Sequence, residues 1–220
     1  MKVEDLILHC QSDWQAYTQH PFVEQLAAGT LPQAVYQHYL QQDFLFLKQY
    51  ARAYALAIYK ARTLAEMRHG LPSLQALLDS EIAHHVSYCE QWGLSEAAME
   101  QTPEAPGTVA YTRYVLDSGC QGDATDLYVA LAPCALGYAQ IGRERFHSEI
   151  DLDSNPYGSW LALYGGDEFQ TGVSSSRDHL ETLLAEIDVD SVRGNQLKTI
   201  FATATRMEVA FWQQSIDACL

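Results

Sequence analysis

The sequence is poor in basic residues: 13 Lys and Arg stand against 28 Asp and Glu in 220 residues, a formal net charge of −15. The few basic side chains are scattered and form no run. Because nucleic-acid binding depends on clustered Lys and Arg that displace counterions from phosphates, this balance argues against a nucleic-acid partner. No apolar stretch approaches the about 20 residues that a membrane span needs, so we also expect no membrane partner.

Cysteines are few, and their spacing is not that of a disulfide framework. The five lie at positions 10, 89, 120, 134 and 219, an odd number without a close pair, which indicates neither a zinc knuckle nor a redox pair. Reduced thiols of this kind predict a cytoplasmic protein. The first ten residues carry Glu4 and Asp5 and lack a basic segment followed by an apolar run, so no signal peptide is expected.

Strand-like alternation is almost absent, and nearly every segment instead has the apolar periodicity of a helix. Neither an internal repeat nor a linker is recognisable. We therefore predict that residues 1–220 form a single all-α domain, a bundle of about eight helices. Pro72 is expected to open one of these helices, which would run to about Trp92 and end at Gly93.

One cysteine directly follows a proline inside a predicted helix, in the stretch Leu131-Ala132-Pro133-Cys134. Pro133 has no backbone N–H to donate, so we expect it to bend the helix and open space beside Cys134. Small residues surround the thiol, and Tyr138 lies one turn further along the same face. The pattern indicates a slot lined by a sulfur and a phenol. The alternative is a buried cysteine that acts as a small apolar side chain.

Two acidic residues stand among aromatic side chains on predicted helices. Phe46 follows Asp43 by three positions, and Phe211 and Trp212 follow Glu208 by three and four. A buried carboxylate must be paired or must bind something. Asp43 therefore either has a partner Arg, Tyr or His in the core or faces a ligand. A flat heteroaromatic ligand would suit such a site, with rings on its faces and carboxylates on its amino and ring-nitrogen groups.

A metal-based chemistry is also open, because the sequence contains two Glu-x-x-His patterns. Glu81 with His84, and Glu144 with His147, have the spacing found in di-iron carboxylate bundles. Such a site needs two further carboxylates, for which the candidates are Glu24, Asp43 and Glu208. The pattern is short and arises easily by chance in helices. Capping or pairing of His84 or His85 within the bundle is the other interpretation.

Five motifs, kept in order along essentially the whole chain, resemble the TenA, or thiaminase II, family. They are His20-Pro21-Phe22-Val23 with Gly29-Thr30-Leu31-Pro32; Leu40 to Asp43; Leu131-Ala132-Pro133-Cys134 with Tyr138; Tyr164-Gly165-Gly166-Asp167; and Glu208 to Trp212. Five ordered matches are far more specific than any single one. The resemblance implies a haem-oxygenase-like fold, usually a homotetramer, and hydrolysis of an aminopyrimidine in thiamin salvage without a metal or other cofactor.

The resemblance also implies roles for individual residues. Cys134 is similar to the nucleophile of the family's cysteine type, Glu208 to its general acid/base, and Asp43 to the carboxylate that holds the pyrimidine. The residues that would stack on or orient the ring are Tyr111, Tyr138, Tyr164 and Phe211. Phe46 also belongs to the expected substrate site but stands where many members have a tyrosine. Because a hydroxyl is missing there, we expect an altered substrate or weaker catalysis.

Three functions are compatible with these patterns, and one fold can host all of them. The leading one converts 4-amino-5-aminomethyl-2-methylpyrimidine to its hydroxymethyl counterpart, with thiamin cleavage as a secondary activity. The second is a metal-dependent or cofactorless oxidase, indicated by the two Glu-x-x-His patterns. The third is a non-catalytic pyrimidine-binding or accessory protein, suggested by Phe46.

Overall fold

The computed structural model describes residues 1–146, 152 and 154–220. Its α-helices are α1 (Val3–His9), α2 (Gln11–Thr18), α3 (Pro21–Ala27), α4 (Gln33–Lys60), α5 (Leu64–Ala76), α6 (Ile82–Glu90), α7 (Glu96–Glu100), α8 (Pro106–Gln121), α9 (Ala124–Arg145), α10 (Gly158–Gly165), α11 (Asp167–Leu184) and α12 (Val192–Asp217). A π-helical turn, Leu77–Glu81, joins α5 to α6. These residues include no strand, which confirms the predicted all-α class.

The chain divides into two compact units. The first unit comprises Met1–Leu31 and Leu131–Val209, and the second unit comprises Pro32–Ala130 and Ala210–Leu220. Helices α9 and α12 therefore contribute residues to both units. The single-domain organisation of residues 1–220 stays a prediction. No helix in the described part of the chain combines the length and apolarity that crossing a membrane requires.

In the first unit, α9 and α10 approach each other closely. A Cβ built on Gly142 of α9 would lie 2.3 Å from the carbonyl oxygen of Tyr164 in α10, so only glycine fits at this point. Gly137, five residues earlier, likewise leaves room for the ring of Tyr17, whose Cε1 would be 2.0 Å from an added Cβ. Two glycines thus let α9 pack directly against buried neighbours.

The second unit is organised around α4, a helix of 28 residues that begins directly after Pro32. Its buried aromatic residues are Tyr36, Tyr39, Phe44, Phe46, Tyr50 and Tyr54. A helix that is apolar over most of its circumference must be covered on several sides. Helices α5, α6 and α8 pack against it and supply that cover.

Pro72 does not open a helix, contrary to the prediction, but lies inside α5. The helix begins earlier because Thr63 caps it, its hydroxyl accepting a backbone N–H at 3.2 Å. Proline removes the helical bond to the carbonyl four residues back, at Arg68. Both residues are exposed, so water can satisfy that carbonyl and the helix continues.

Gly93, with φ of 76°, ends the segment after α6 as predicted.

Replacing Gly142 with alanine is expected to lower the free energy of unfolding by about 1–3 kcal/mol, the usual range for overpacking. The new Cβ would meet a backbone oxygen, which cannot rotate aside as a side chain does. The matched control is Gly172→Ala in α11, where nothing lies within 4 Å of the added Cβ. Alanine should stabilise that exposed helix by up to about 1 kcal/mol. Urea unfolding measures both changes, and equal effects would contradict the close approach.

Candidate active site

Four of the eight candidate residues lie buried in the second unit: Asp43, Phe46, Tyr111 and Phe211. Phe46 is central to them, because its ring centroid lies 5.0 Å from that of Tyr111 and 5.4 Å from that of Phe211. It also stacks on Tyr50 at 5.3 Å. Asp43 precedes Phe46 by three positions on α4 and therefore shares its face. The structure thus gathers these rings from α4, α8 and α12 on the side of α4 that carries the carboxylate.

Asp43 is 2% exposed, and both of its hydrogen bonds end on the same oxygen, Oδ2. Tyr39 donates its hydroxyl to Oδ2 at 2.9 Å, and Nε2 of His85 lies 2.7 Å from the same atom. Among the described residues, no donor reaches the other oxygen, Oδ1. The sequence predicted a core partner for Asp43 as one alternative, and the structure supplies two, Tyr39 and His85.

His85 is fully buried, and both of its ring nitrogens have hydrogen-bond partners. Its Nδ1 lies 2.8 Å from the carbonyl oxygen of Glu81, and because a carbonyl only accepts, Nδ1 must be protonated. Burial lowers the pKa of His85, but the hydrogen bond and charge of Asp43, with smaller contributions from Glu81, outweigh it and raise the pKa above 6.5. The raised pKa favours the protonated ring, which donates Nε2–H to the carboxylate and forms a buried ion pair with it.

His84 differs from its neighbour His85 in that its pKa is lowered. Burial, followed by the charge of His85, lowers the pKa of His84 to about 4, so its ring is neutral near pH 7. Within the described residues neither ring nitrogen of His84 has a hydrogen-bond partner, and the ring packs against Tyr88 with centroids 6.0 Å apart. The imidazole therefore behaves as part of an aromatic cluster.

The two Glu-x-x-His patterns form no metal-like arrangement among the residues that the structure describes. No group of three or more His, Cys, Asp or Glu side chains among the described residues is placed to hold a metal ion. Glu81 instead offers its backbone carbonyl to His85. His147, which completes the second pattern, lies outside the described residues.

The other four candidates lie in the first unit: Cys134, Tyr138, Tyr164 and Glu208. Cys134 is half-buried on α9, with Tyr138 one turn further along. The Tyr138 ring lies 4.7 Å from that of Tyr164 and 5.6 Å from that of Trp160, centroid to centroid. Glu208 on α12 is 1% exposed. The unit thus combines a half-buried cysteine with a buried carboxyl group and packed aromatic rings.

Three residues of these clusters escaped the sequence-based candidates: Tyr39, His85 and Trp160. Tyr39 could have been found, because it precedes Asp43 by four positions and so lies on the same helical face. His85 is 42 residues away from Asp43 along the chain, and no local pattern specifies that pairing. Trp160 is likewise brought to Tyr138 only by the packing of α10 on α9.

The sequence is similar to characterised and uncharacterised relatives over nearly its full length. Residues 9–218 match the TENA/THI-4/PQQC family. The chain is 44% identical over 215 residues to an uncharacterized protein of Haemophilus influenzae, with 98% of this chain and 99% of the relative covered. It is 34% identical over 209 residues to the aminopyrimidine aminohydrolase of Halalkalibacterium halodurans, with 94% and 92% covered.

Solved structures share the fold. The crystal structure of a TenA family transcription regulator from Silicibacter sp. TM1040 has a TM-score of 0.87 and 38% identity, covering 96% of this chain and 94% of that one. A domain with a heme oxygenase-like fold from Shewanella denitrificans has a TM-score of 0.72 at 12% identity, covering 100% and 94%. This second likeness concerns the fold alone and confirms the predicted haem-oxygenase-like architecture.

Replacing Asp43 with asparagine is expected to destabilise the protein strongly. The change leaves the His85 imidazolium buried without a countercharge, and removing one partner of a buried pair typically costs about 3–5 kcal/mol. Denaturant unfolding at pH 6 measures the loss. The control is Glu104→Gln, which breaks an exposed pair with Arg113 and should cost no more than about 1 kcal/mol. Similar losses in the two variants would contradict a buried charge pair.

The cost of Asp43→Asn should also depend on pH. Because the pKa of His85 is raised in the folded state, the pair stabilises fully below the ordinary value of 6.5. That contribution is lost as the pH rises through the raised pKa. The stability gap between wild type and Asp43→Asn should therefore be widest below pH 6.5 and shrink in more alkaline buffer. A gap that widens with pH would show that the pair is not charged as described.

Proposed function

The chain belongs to the TENA/THI-4/PQQC family, and from this premise we propose that it is an aminopyrimidine hydrolase of thiamin salvage. The enzyme replaces the amine of 4-amino-5-aminomethyl-2-methylpyrimidine with the hydroxyl of water and releases ammonia. Thiamin is a secondary substrate, cleaved at the equivalent carbon. The relative from Halalkalibacterium halodurans, named an aminopyrimidine aminohydrolase, supports this reaction class.

The observation that carries the proposal is the buried carboxylate of Asp43 on the same α4 face as Phe46 and its ring neighbours. Flat aminated heteroaromatic rings are stabilised by aromatic faces and by a charge-assisted hydrogen bond to their amino groups. Asp43 supplies the acceptor through Oδ1, since Oδ2 is already occupied. Phe46 supplies an apolar face where a tyrosine would add a hydroxyl, so it contacts the pyrimidine by stacking alone.

The proposed chemistry uses the thiol of Cys134 and the carboxyl group of Glu208. The thiolate adds to the protonated pyrimidine and interrupts its aromaticity, and the resulting enamine expels ammonia from the exocyclic methylene. Water then adds to that methylene. The bond to sulfur breaks as the ring regains aromaticity, so the cysteine is regenerated. Glu208 donates and recovers the ring proton, a role for which a buried carboxyl group is suited.

We further propose that the protein acts in the cytoplasm as a homotetramer of single-domain chains. The basis is the resemblance of its ordered motifs to the TenA family. Light scattering of the purified protein measures the number of chains directly, and a stable monomer would contradict this part of the proposal.

The proposed reaction predicts that Cys134→Ser abolishes ammonia release from the aminomethyl pyrimidine. A serine hydroxyl is a far weaker nucleophile than a thiolate and would not add to the ring at a useful rate. The matched control is Cys120→Ser, the same substitution at an exposed cysteine of α8, which should retain full activity. Ammonia is measured enzymatically, with the metal content of each preparation determined beside it.

Each outcome of that assay separates the candidate functions. Metal-independent turnover that only Cys134→Ser abolishes supports the thiol mechanism. Turnover by Cys134→Ser at the wild-type rate would contradict it. Tight binding of the hydroxymethyl product without any turnover would favour a non-catalytic pyrimidine-binding protein. Bound iron in an inactive preparation would instead favour the oxidase.

A further inference from the structure

His85 has no role in the proposed reaction, yet it is completely buried and both of its ring nitrogens are hydrogen-bonded. We infer that His85 is a positioning residue which, together with Tyr39, occupies Oδ2 of Asp43 and so presents Oδ1 alone to the amino group of the pyrimidine. This inference rests on the proposed function, because it explains how the same site recognises its substrate.

The first step is the geometry at Asp43. A carboxyl group rotates easily about its terminal torsion, so a single hydrogen bond leaves its orientation loosely defined. Here two donors meet at one oxygen: Tyr39 comes from the preceding turn of α4 at 2.9 Å, and His85 from α6 at 2.7 Å. Rotation would break both bonds at once. The two carboxylate oxygens of Asp43 therefore differ: Oδ2 is held by two hydrogen bonds, and Oδ1 is available to a ligand.

The second step is the way His85 itself is held. Its Nδ1–H is donated to the carbonyl oxygen of Glu81 at 2.8 Å, and its Nε2–H to Asp43. Both ring nitrogens are thus bonded, and the side chain is completely buried. An imidazole fixed at both ends cannot turn over or swing away, which suits a group that orients another side chain.

The third step is the π-helical turn that precedes His85. In this turn the N–H of Ile82 donates to the carbonyl of Leu77, five residues back instead of four. One additional residue in a turn rotates everything after it by about 100° relative to an uninterrupted α-helix. The turn therefore sets which face of α6 is directed at α4. His85 lies on that face, three residues after Ile82.

The arrangement has a consequence for substrate choice. An ionised carboxylate only accepts hydrogen bonds, so a ligand group that meets Oδ1 must donate one. A 4-aminopyrimidine offers an N–H there, whereas its 4-oxo counterpart offers a lone pair and leaves Oδ1 unsatisfied. We therefore expect selection of the amino ring over the oxo ring, and we expect this selection to depend on His85.

The test compares two amide replacements of similar polarity. In His85→Gln the amide nitrogen can occupy the place of Nε2 and still donate to Asp43, whereas the shorter side chain of His85→Asn reaches only the place of Nδ1. Isothermal titration with 4-amino-5-hydroxymethyl-2-methylpyrimidine and with its 4-oxo counterpart gives the selectivity of each protein. Circular dichroism of both variants verifies that they are folded.

We expect His85→Asn to bind the amino ring about 10- to 100-fold more weakly, the factor for one charge-assisted hydrogen bond, and to lose most of its preference over the oxo ring. His85→Gln should remain within about threefold of wild type. Equal behaviour of the two variants, or unchanged selectivity in His85→Asn, would overturn the inference. If neither variant folds, Tyr39→Phe removes the second donor while keeping the ring, and unchanged selectivity in that variant would overturn it equally.

Failure of the inference and failure of the proposed function are distinguishable in these measurements. Wild-type protein that releases ammonia while His85→Asn keeps full selectivity refutes only the positioning role. Wild-type protein that binds the amino ring selectively but releases no ammonia refutes only the reaction. Wild-type protein that does not prefer the amino ring refutes the positioning role whatever its activity.

Discussion

A charge pair buried among aromatic rings determines the arrangement of the second unit. Asp43 and His85 are each too costly to bury alone, and each is tolerated because the other is 2.7 Å away. The pair therefore ties α4 to α6 at a defined register. It also explains the contrast between two consecutive histidines, since Asp43 outweighs the effect of burial and raises the pKa of His85, whereas burial lowers the pKa of His84 to about 4.

The first unit is ordered instead by close packing, because two glycines let an aromatic ring and a backbone carbonyl approach α9. Gly137 admits the ring of Tyr17, and Gly142 admits the carbonyl of Tyr164, so the backbone of α9 is in close contact with both neighbours. Cys134 and Tyr138 are positioned by that same helix. The position of the Cys134 thiol thus depends on close packing. The position of the Asp43 carboxylate in the second unit depends instead on its hydrogen bonds and on electrostatic attraction.

Much of the fold could be predicted from the sequence, because the signals concerned are local. The stop at Gly93 and the shared face of Asp43 and Phe46 both follow from spacing over a few residues. Pro72 was misjudged because its cost depends on exposure, which a sequence does not display. A histidine partner for Asp43 was among the expectations, but the specific pairing with His85 and the π-helical turn before it could not be predicted, since both arise only when α6 packs against α4.

Gly142 bears on any attempt to change the substrate range by mutagenesis. Libraries that randomise a pocket usually vary the aromatic residues and leave the scaffold untouched. In the proposed substrate site, Tyr138 and Tyr164 lie on two helices that meet at Gly142 and the backbone of Tyr164, so a larger substrate ring would have to be accommodated without any separation of α9 from α10. Diversity at those two positions is therefore best designed with small side chains, and Gly142 is best kept constant.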